Sequence, residues 1–306
     1  MVYKSLWSRT LQLIRLKPGL NIFSASLIIV ISVSSASILV KLVSTPASVT
    51  AFWRILIALV LITIYYTRNG FSTLKSIFKL NARLALSILS GFSLALHFYT
   101  WMSSLKIVEV YLSTTIVCLH PVITLLLSRI VLCEKHGSRV GIGLILAVFG
   151  SMLTALSKTS VLKADLQGIV LSLISAFFMS NYVIIGRYVR SKVGLAEHVI
   201  PAYSASTITL FVISIIEGYN VVRIDLRDCI LLTLLAIGPM IGGHTMLNYL
   251  LKYLPASTAS LPIVLEPIGA SLLAAVILSE YIPLTGYVGV VLATIGLIII
   301  VKSMRS

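Results

Sequence analysis

Two residues able to do acid–base chemistry sit where such chemistry is expensive. His120 interrupts the apolar run "TTIVCLHPVITLLL" (Thr114 to Leu127), and Glu266 interrupts "SLPIVLEPIGASLL" (Ser260 to Leu273), each directly before a proline. A charge at bilayer depth costs at least a few kcal/mol, so a carboxylate there must face a cavity or a partner. A lone histidine is read either as a packing residue with satisfied nitrogens or as part of a site. Proline removes one helical hydrogen bond and loosens the carbonyl four residues back, that of Val117 for Pro121 and of Ile263 for Pro267. Such a carbonyl either binds a donor, permits a hinge, or is repaired by a neighbour such as Ser113, Thr114 or Ser260.

Further polar groups fall on helical faces inside apolar runs. His97, Trp101 and Ser104 follow at i, i+4 and i+7, and His244 and Asn248 at i and i+4. Polar faces cannot point at lipid cheaply, so both are expected to line one cavity or to hydrogen-bond between helices. Asn181, Tyr182, Ser34 and Ser35 are further candidates. Arg54, near the end of a run, either snorkels to the headgroups or draws an anionic group to the cavity. Glu134 and Glu280 end two runs and read as helix caps or salt-bridge partners. A cavity of Trp, Tyr, His, Asn and one acid suits an amphipathic, zwitterionic or cationic molecule better than a phosphorylated one, which wants clustered Lys and Arg.

The elements that position these residues follow from composition. Of 306 residues, 58% are hydrophobic and 11% charged, with a mean hydropathy of +1.06. No soluble core hides that much apolar surface, so the bilayer is the solvent for most of the chain. Runs of about 20 apolar residues number ten: 22–42, 48–67, 82–104, 110–132, 137–157, 166–187, 199–217, 229–251, 256–279 and 283–302. Residues 1–21 alternate apolar and basic faces like a helix lying in the headgroup region; a cleavable signal peptide is the other reading. The formal charge of +15 reflects loops, not a nucleic-acid face. With the N-terminus inside, inner segments hold most of the Lys and Arg, whereas outer ones hold Lys41, Lys106, Lys158, Lys163, Arg223 and Arg227. Both termini are therefore expected in the cytoplasm, with the chain in the cell membrane.

The two halves repeat. An offset of 146 positions pairs Leu119 with Leu265, Pro121 with Pro267, Glu134 with Glu280, Gly143 with Gly289, Ala147 with Ala293, and Gly150 with Gly296. The units are 22–157 and 166–302, joined by a linker at 158–165. Five spans are an odd number, so the second copy enters the membrane inverted. The fold expected is an all-α membrane protein of two inverted five-helix repeats, which builds a midplane site open to each side in turn.

"PASVTAFWRILIA" (Pro46 to Ala58), Leu105 to Lys135, Leu251 to Glu280 and the glycine and alanine spacing of the fifth and tenth spans resemble EamA-type members of the drug/metabolite transporter superfamily. The resemblance covers residues 22 to 302. It implies ten spans in two repeats, no cofactor, and movement of small metabolites such as amino acids, often outward. His120 and Glu266 occupy a position at which members vary, so no known chemistry transfers.

Other classes find little support. H-E-x-x-H, G-x-S-x-G, a P-loop and paired acids for a metal are absent. Three cysteines, Cys118, Cys133 and Cys229, give no disulfide framework or metal knuckle. The expectation is a non-ATP transporter of small organic solutes, monomeric or homodimeric, coupled to a proton or another ion, or a facilitator or exchanger without coupling. His120, Glu266, His97, Trp101, His244, Asn248, Asn181, Tyr182 and Ser35 are its expected binding or coupling residues.

Overall fold

The computed structural model describes residues 22–68, 77, 81–131, 140–157, 163–260 and 262–303. The N-terminal segment 1–21, Glu134, Cys133 and residues 158–162 of the linker lie outside the described residues. Every regular element described is helical. Hydrocarbon offers the backbone no partners, so an apolar segment satisfies its own N–H and C=O groups by coiling. Among the described residues, seven helical stretches are long and apolar enough to cross a membrane: Ile22–Leu42, Ala47–Thr67, Ala82–Ile107, Val110–Val131, Asp165–Arg190, Leu195–Ile216 and Leu226–Leu250. Gly141–Thr154, Ile263–Ile277 and Leu284–Ile299 are shorter apolar helices. Side chains such as Phe23, Ile64, Ile130 and Val276 point outward, as a hydrocarbon solvent allows.

The continuous spans expected around the two prolines are interrupted. Val110–Val117 ends before His120–Val131 begins, and Ala256–Ala259 passes through a 3-10 turn at Ile263–Leu265 before Glu266–Ile277. Each proline is the second residue of its new helix, where its missing N–H costs nothing. The chain therefore breaks where a mid-helix kink was expected, and His120 and Glu266 become the first residues of half-helices. The first span also breaks, at Ser35, between Ile22–Ser34 and Ala36–Leu42. A fourth irregularity has no counterpart in the apolar periodicity: Ala236–Thr245 is a π-helix containing Pro239, whose wider turns re-aim His244.

Helix contacts cross between the halves in exchange-related pairs. Ala82–Ile107 packs on Lys163–Arg190, and Ile22–Ser34 on Ala236–Thr245. Ala47–Thr67 packs on Leu195–Ile216, Val110–Val117 on Glu266–Ile277, and Val140–Ala155 on Leu284–Ser303. The fifth-span spacing is thus an internal interface within one chain. A Cβ on Gly150 would lie 2.3 Å from Ala293 N, and one on Gly296 would lie 2.3 Å from Ala147 N. Only glycine permits this approach at equivalent positions of the two copies.

At one end of the molecule, polar ties join the halves. Lys41 Nζ lies 3.6 Å from Glu280 Oε1 and donates to Val108 O at 2.9 Å. Glu280 Oε2 accepts the Val110 N–H at 2.8 Å, so it caps a helix of the other half and not the helix that follows it. Burial raises the Glu280 carboxyl above its ordinary value, against the pull of the Val110 N–H and Lys41. Beside it, Asp228 accepts from Ser44 N at 3.1 Å, Ser44 Oγ at 2.5 Å and Thr45 N at 3.2 Å.

The glycine seam generates a direct test. Gly150→Ala should destabilise the protein by about 1–3 kcal/mol through overpacking, read as a lower thermal midpoint in detergent. Gly141→Ala, whose Cβ would meet nothing within 4 Å, should leave the midpoint unchanged. Equal effects would show that close approach is not what the seam requires.

Candidate functional site

Where the broken helices meet, the halves line a small cavity of about 20 Å³. Its lining comes from both halves: Arg54, His97, Trp101, Cys118 and His120 from the first, His244 and Glu266 from the second, with Val33, Ala36, Val117, Met179 and Ile263 between them. The packed centre leaves room for little more than water. His120 and Glu266 arrive as first residues of half-helices, His97 and Trp101 lie one turn apart on Ala82–Ile107, and His244 comes from the π-helical stretch.

The polar atoms of this lining are short of partners. Both nitrogens of His120, Nδ1 of His244, Nε1 of Trp101, and Nε and Nη1 of Arg54 are buried without a hydrogen bond. His120 and Glu266 share the cavity, but the unpartnered imidazole rules out a hydrogen bond between them in this conformation. Glu266 is 6% exposed and accepts from Cys118 Sγ at 3.9 Å, a weak donor. Cys118 Sγ also lies 3.8 Å from Ile263 O, the carbonyl that Pro267 cannot engage. Ser180 Oγ donates to His120 O at 2.8 Å.

His97 is the anchored member. Its Nδ1 lies 2.8 Å from Ser175 Oγ, and Ser175 Oγ donates back to His97 O at 3.0 Å. The imidazole stacks on Trp101 with centroids 6.1 Å apart and planes 4° apart. His244 lies 5.9 Å from His97 and packs edge-on against Phe98 at 4.8 Å. Aromatic rings therefore form one wall of the cavity.

Not every residue expected here reaches the cavity. Asn248 is buried outside the lining, where its Nδ2 donates to Tyr182 Oη and to His244 O, so it and Tyr182 brace the His244 helix. Ser104 turns to Ser113 and Ser172, at 3.0 and 2.7 Å. Asn181 is half-buried and donates to Phe177 O in its own helix at 3.0 Å. Ser35 is half-buried, bonded to Ser32 O at 2.8 Å. These short local bonds are what a serine or asparagine makes when no ligand-facing space opens beside it.

Arg54 does not snorkel. It is 1% exposed, and its guanidinium stacks over Phe98 at 4.2 Å and near Trp101 at 5.9 Å. The general cost of intramembrane charge was the signal that marked it in sequence. Cys118 and Met179 gave no such signal, because apolar-looking residues announce no cavity. His198, also fully buried, pairs with Ser87 Oγ at 3.0 Å away from this lining. Among the described residues, no group of three His, Cys, Asp or Glu is placed to hold a metal ion.

Comparison with known proteins gives this architecture a family. The solved "Crystal structure of protein" superposes with a TM-score of 0.69 over 92% of this chain and 96% of that chain, at 15% sequence identity, a likeness of fold. No curated protein matches the sequence. The model of the EamA-like transporter family matches residues 20–156 and again 166–302. With two copies of that unit spanning nearly its whole length and long apolar helices throughout, the chain is a membrane protein that belongs to the EamA-like transporter family, whose members are transporters.

Proposed function

We propose that this protein is a secondary transporter of small organic solutes, amino-acid-like or amphipathic, that exports them across the cytoplasmic membrane by alternating access. The observation that carries the reading is the cavity between the halves, whose buried donors and acceptors lack protein partners. Unsatisfied buried polar groups cost free energy, and a cargo that supplies the missing hydrogen bonds gains what the empty cavity loses. In this reading ten helices form two inverted sets of five, both termini are cytoplasmic, and the cargo binds near the midplane. His120 and Glu266, each heading a half-helix, contact the cargo beside His97, Trp101 and His244; Asn248 and Tyr182 hold the His244 helix in place.

Coupling falls to Glu266, the acid of the lining, whose protonation state changes the charge presented to the cargo. Reconstituted in liposomes, Glu266→Gln should lose uptake driven by a pH gradient while keeping exchange of cargo between equal compartments. Unchanged pH-driven transport with an unchanged pH profile would remove Glu266 from the mechanism and leave an uncoupled facilitator.

Alternating access also requires the end tied by Lys41, Glu280 and Asp228 to release. These ties lie about 8–12 Å along their helices from the cavity-lining Ala36 and Cys118, and Cys118 is a native reporter inside. In a variant lacking Cys133 and Cys229, Glu280→Ala should raise labelling of Cys118 by a membrane-impermeant thiol reagent, added from outside, about tenfold. The exchange of Lys41→Glu with Glu280→Lys, which restores the ion pair but not the bonds to Val110 N–H and Val108 O, should bring labelling part of the way back. Labelling that ignores both changes would mean that this end is not a gate.

A further inference from the structure

We infer that Arg54 is the counter-ion for a carboxylate of the cargo, so that the cavity selects small organic carboxylates. The inference rests on the reading of the cavity as the cargo site and adds the chemical class of what enters it. Arg54 is a cation 1% exposed in the heart of the molecule, where a charge persists only if it is paired and hydrogen-bonded. Neither condition is met by the protein. Nε and Nη1 have no hydrogen-bond partner, and the ion pair found among the described residues is Lys41 with Glu280, at the end of the molecule. Glu266 shares the cavity and its charge acts on Arg54, but it makes no ion pair with it and takes its hydrogen bond from Cys118.

A second buried arginine shows what a structural role looks like in this chain. Arg190 is 2% exposed, yet its Nε donates to Asn248 O at 2.9 Å and its Nη1 to Val193 O at 2.6 Å. Arg54 has the same burial and none of those bonds. Its guanidinium face lies on Phe98 at 4.2 Å, which leaves the in-plane N–H groups as its free valences. A planar fork of N–H donors matches a carboxylate bidentately.

The neighbours narrow the ligand further. Arg54 is the one Lys or Arg in the lining, which suits a monoanionic carboxylate better than a phosphate dianion. Trp101 Nε1, His244 Nδ1 and the His120 nitrogens are unpartnered around the same space and add neutral hydrogen bonds. His97 and Trp101, with ring planes 4° apart, supply a flat wall for the adjoining carbon frame. Glu266 then disfavours a second negative charge on the cargo.

The test compares acids with their neutral isosteres. Purified full-length protein is titrated with acetate, butyrate and 3-phenylpropionate and with the matching primary amides, and binding is read as a rise in thermal midpoint. At least one acid should bind ten or more times tighter than its amide. Arg54→Gln should erase that preference and Arg54→Lys should keep part of it, while Arg190→Gln, if folded, keeps it whole. Should Arg54→Gln fail to fold, the acid-to-amide ratio in the wild type and in Arg54→Lys still decides. Equal binding of acids and amides, no response to any acid, or an undiminished preference in Arg54→Gln would each overturn the inference. Trp101→Ala separates the two layers of the argument. If neutral solutes bind and lose affinity in Trp101→Ala, the cargo site stands and only the carboxylate assignment falls; if no solute responds to Trp101→Ala, the cargo site itself falls.

Discussion

Hydrocarbon accepts no hydrogen bonds, so every polar group that enters the bilayer must find its partner inside the protein. Most do so cheaply and locally. Thr114 and Thr115 donate to carbonyls one turn back, at 2.5 and 2.6 Å, and Ser151 and Thr154 do the same at 2.9 Å. Others pair across helices, as in the Ser104, Ser113 and Ser172 cluster. Unpartnered buried atoms also occur elsewhere, on Thr124, Ser206 and Ser271 among others, but the cavity lining groups those of Arg54, Trp101, His120 and His244 around one space.

The same constraint explains where the helices break. An uninterrupted helix consumes its own backbone groups and presents only side chains. The breaks before Pro121 and Pro267 place fresh helix starts beside the cavity, with His120 and Glu266 at their heads. The π-helical turn at Ala236–Thr245 does comparable work for His244. Irregular backbone at membrane depth is tolerated where it is enclosed by protein or lines a cavity, and these breaks all border the same one.

Two kinds of contact join the halves. The seam of Gly143, Ala147, Gly150 and their copies brings backbones of the two halves into close contact. At the tied end the contacts are ion pairs and hydrogen bonds from a few side chains, Lys41, Glu280 and Asp228. Polar ties of that kind can be replaced by hydrogen bonds to water, whereas a packed glycine seam has no such substitute.

The amino-acid sequence by itself determined the solvent, the helical content and the duplication. Apolar run length and the 146-residue register depend only on local composition and on paired positions such as Pro121 with Pro267. It also marked His120, Glu266, His97, Trp101 and His244, because a titratable or amphipathic group in an apolar run is costly wherever the run goes. Tertiary structure alone decided which of these costs stays unmet. Arg54 near a span end is equally compatible with snorkelling and with burial until Phe98 is seen beneath it, and Asn248 on the face of His244 reads as cavity-lining until its Nδ2 is found on Tyr182 outside the lining. Helical periodicity fixes which side of a helix a residue occupies; only the packing of one half against the other fixes whether that side meets a partner or an empty space.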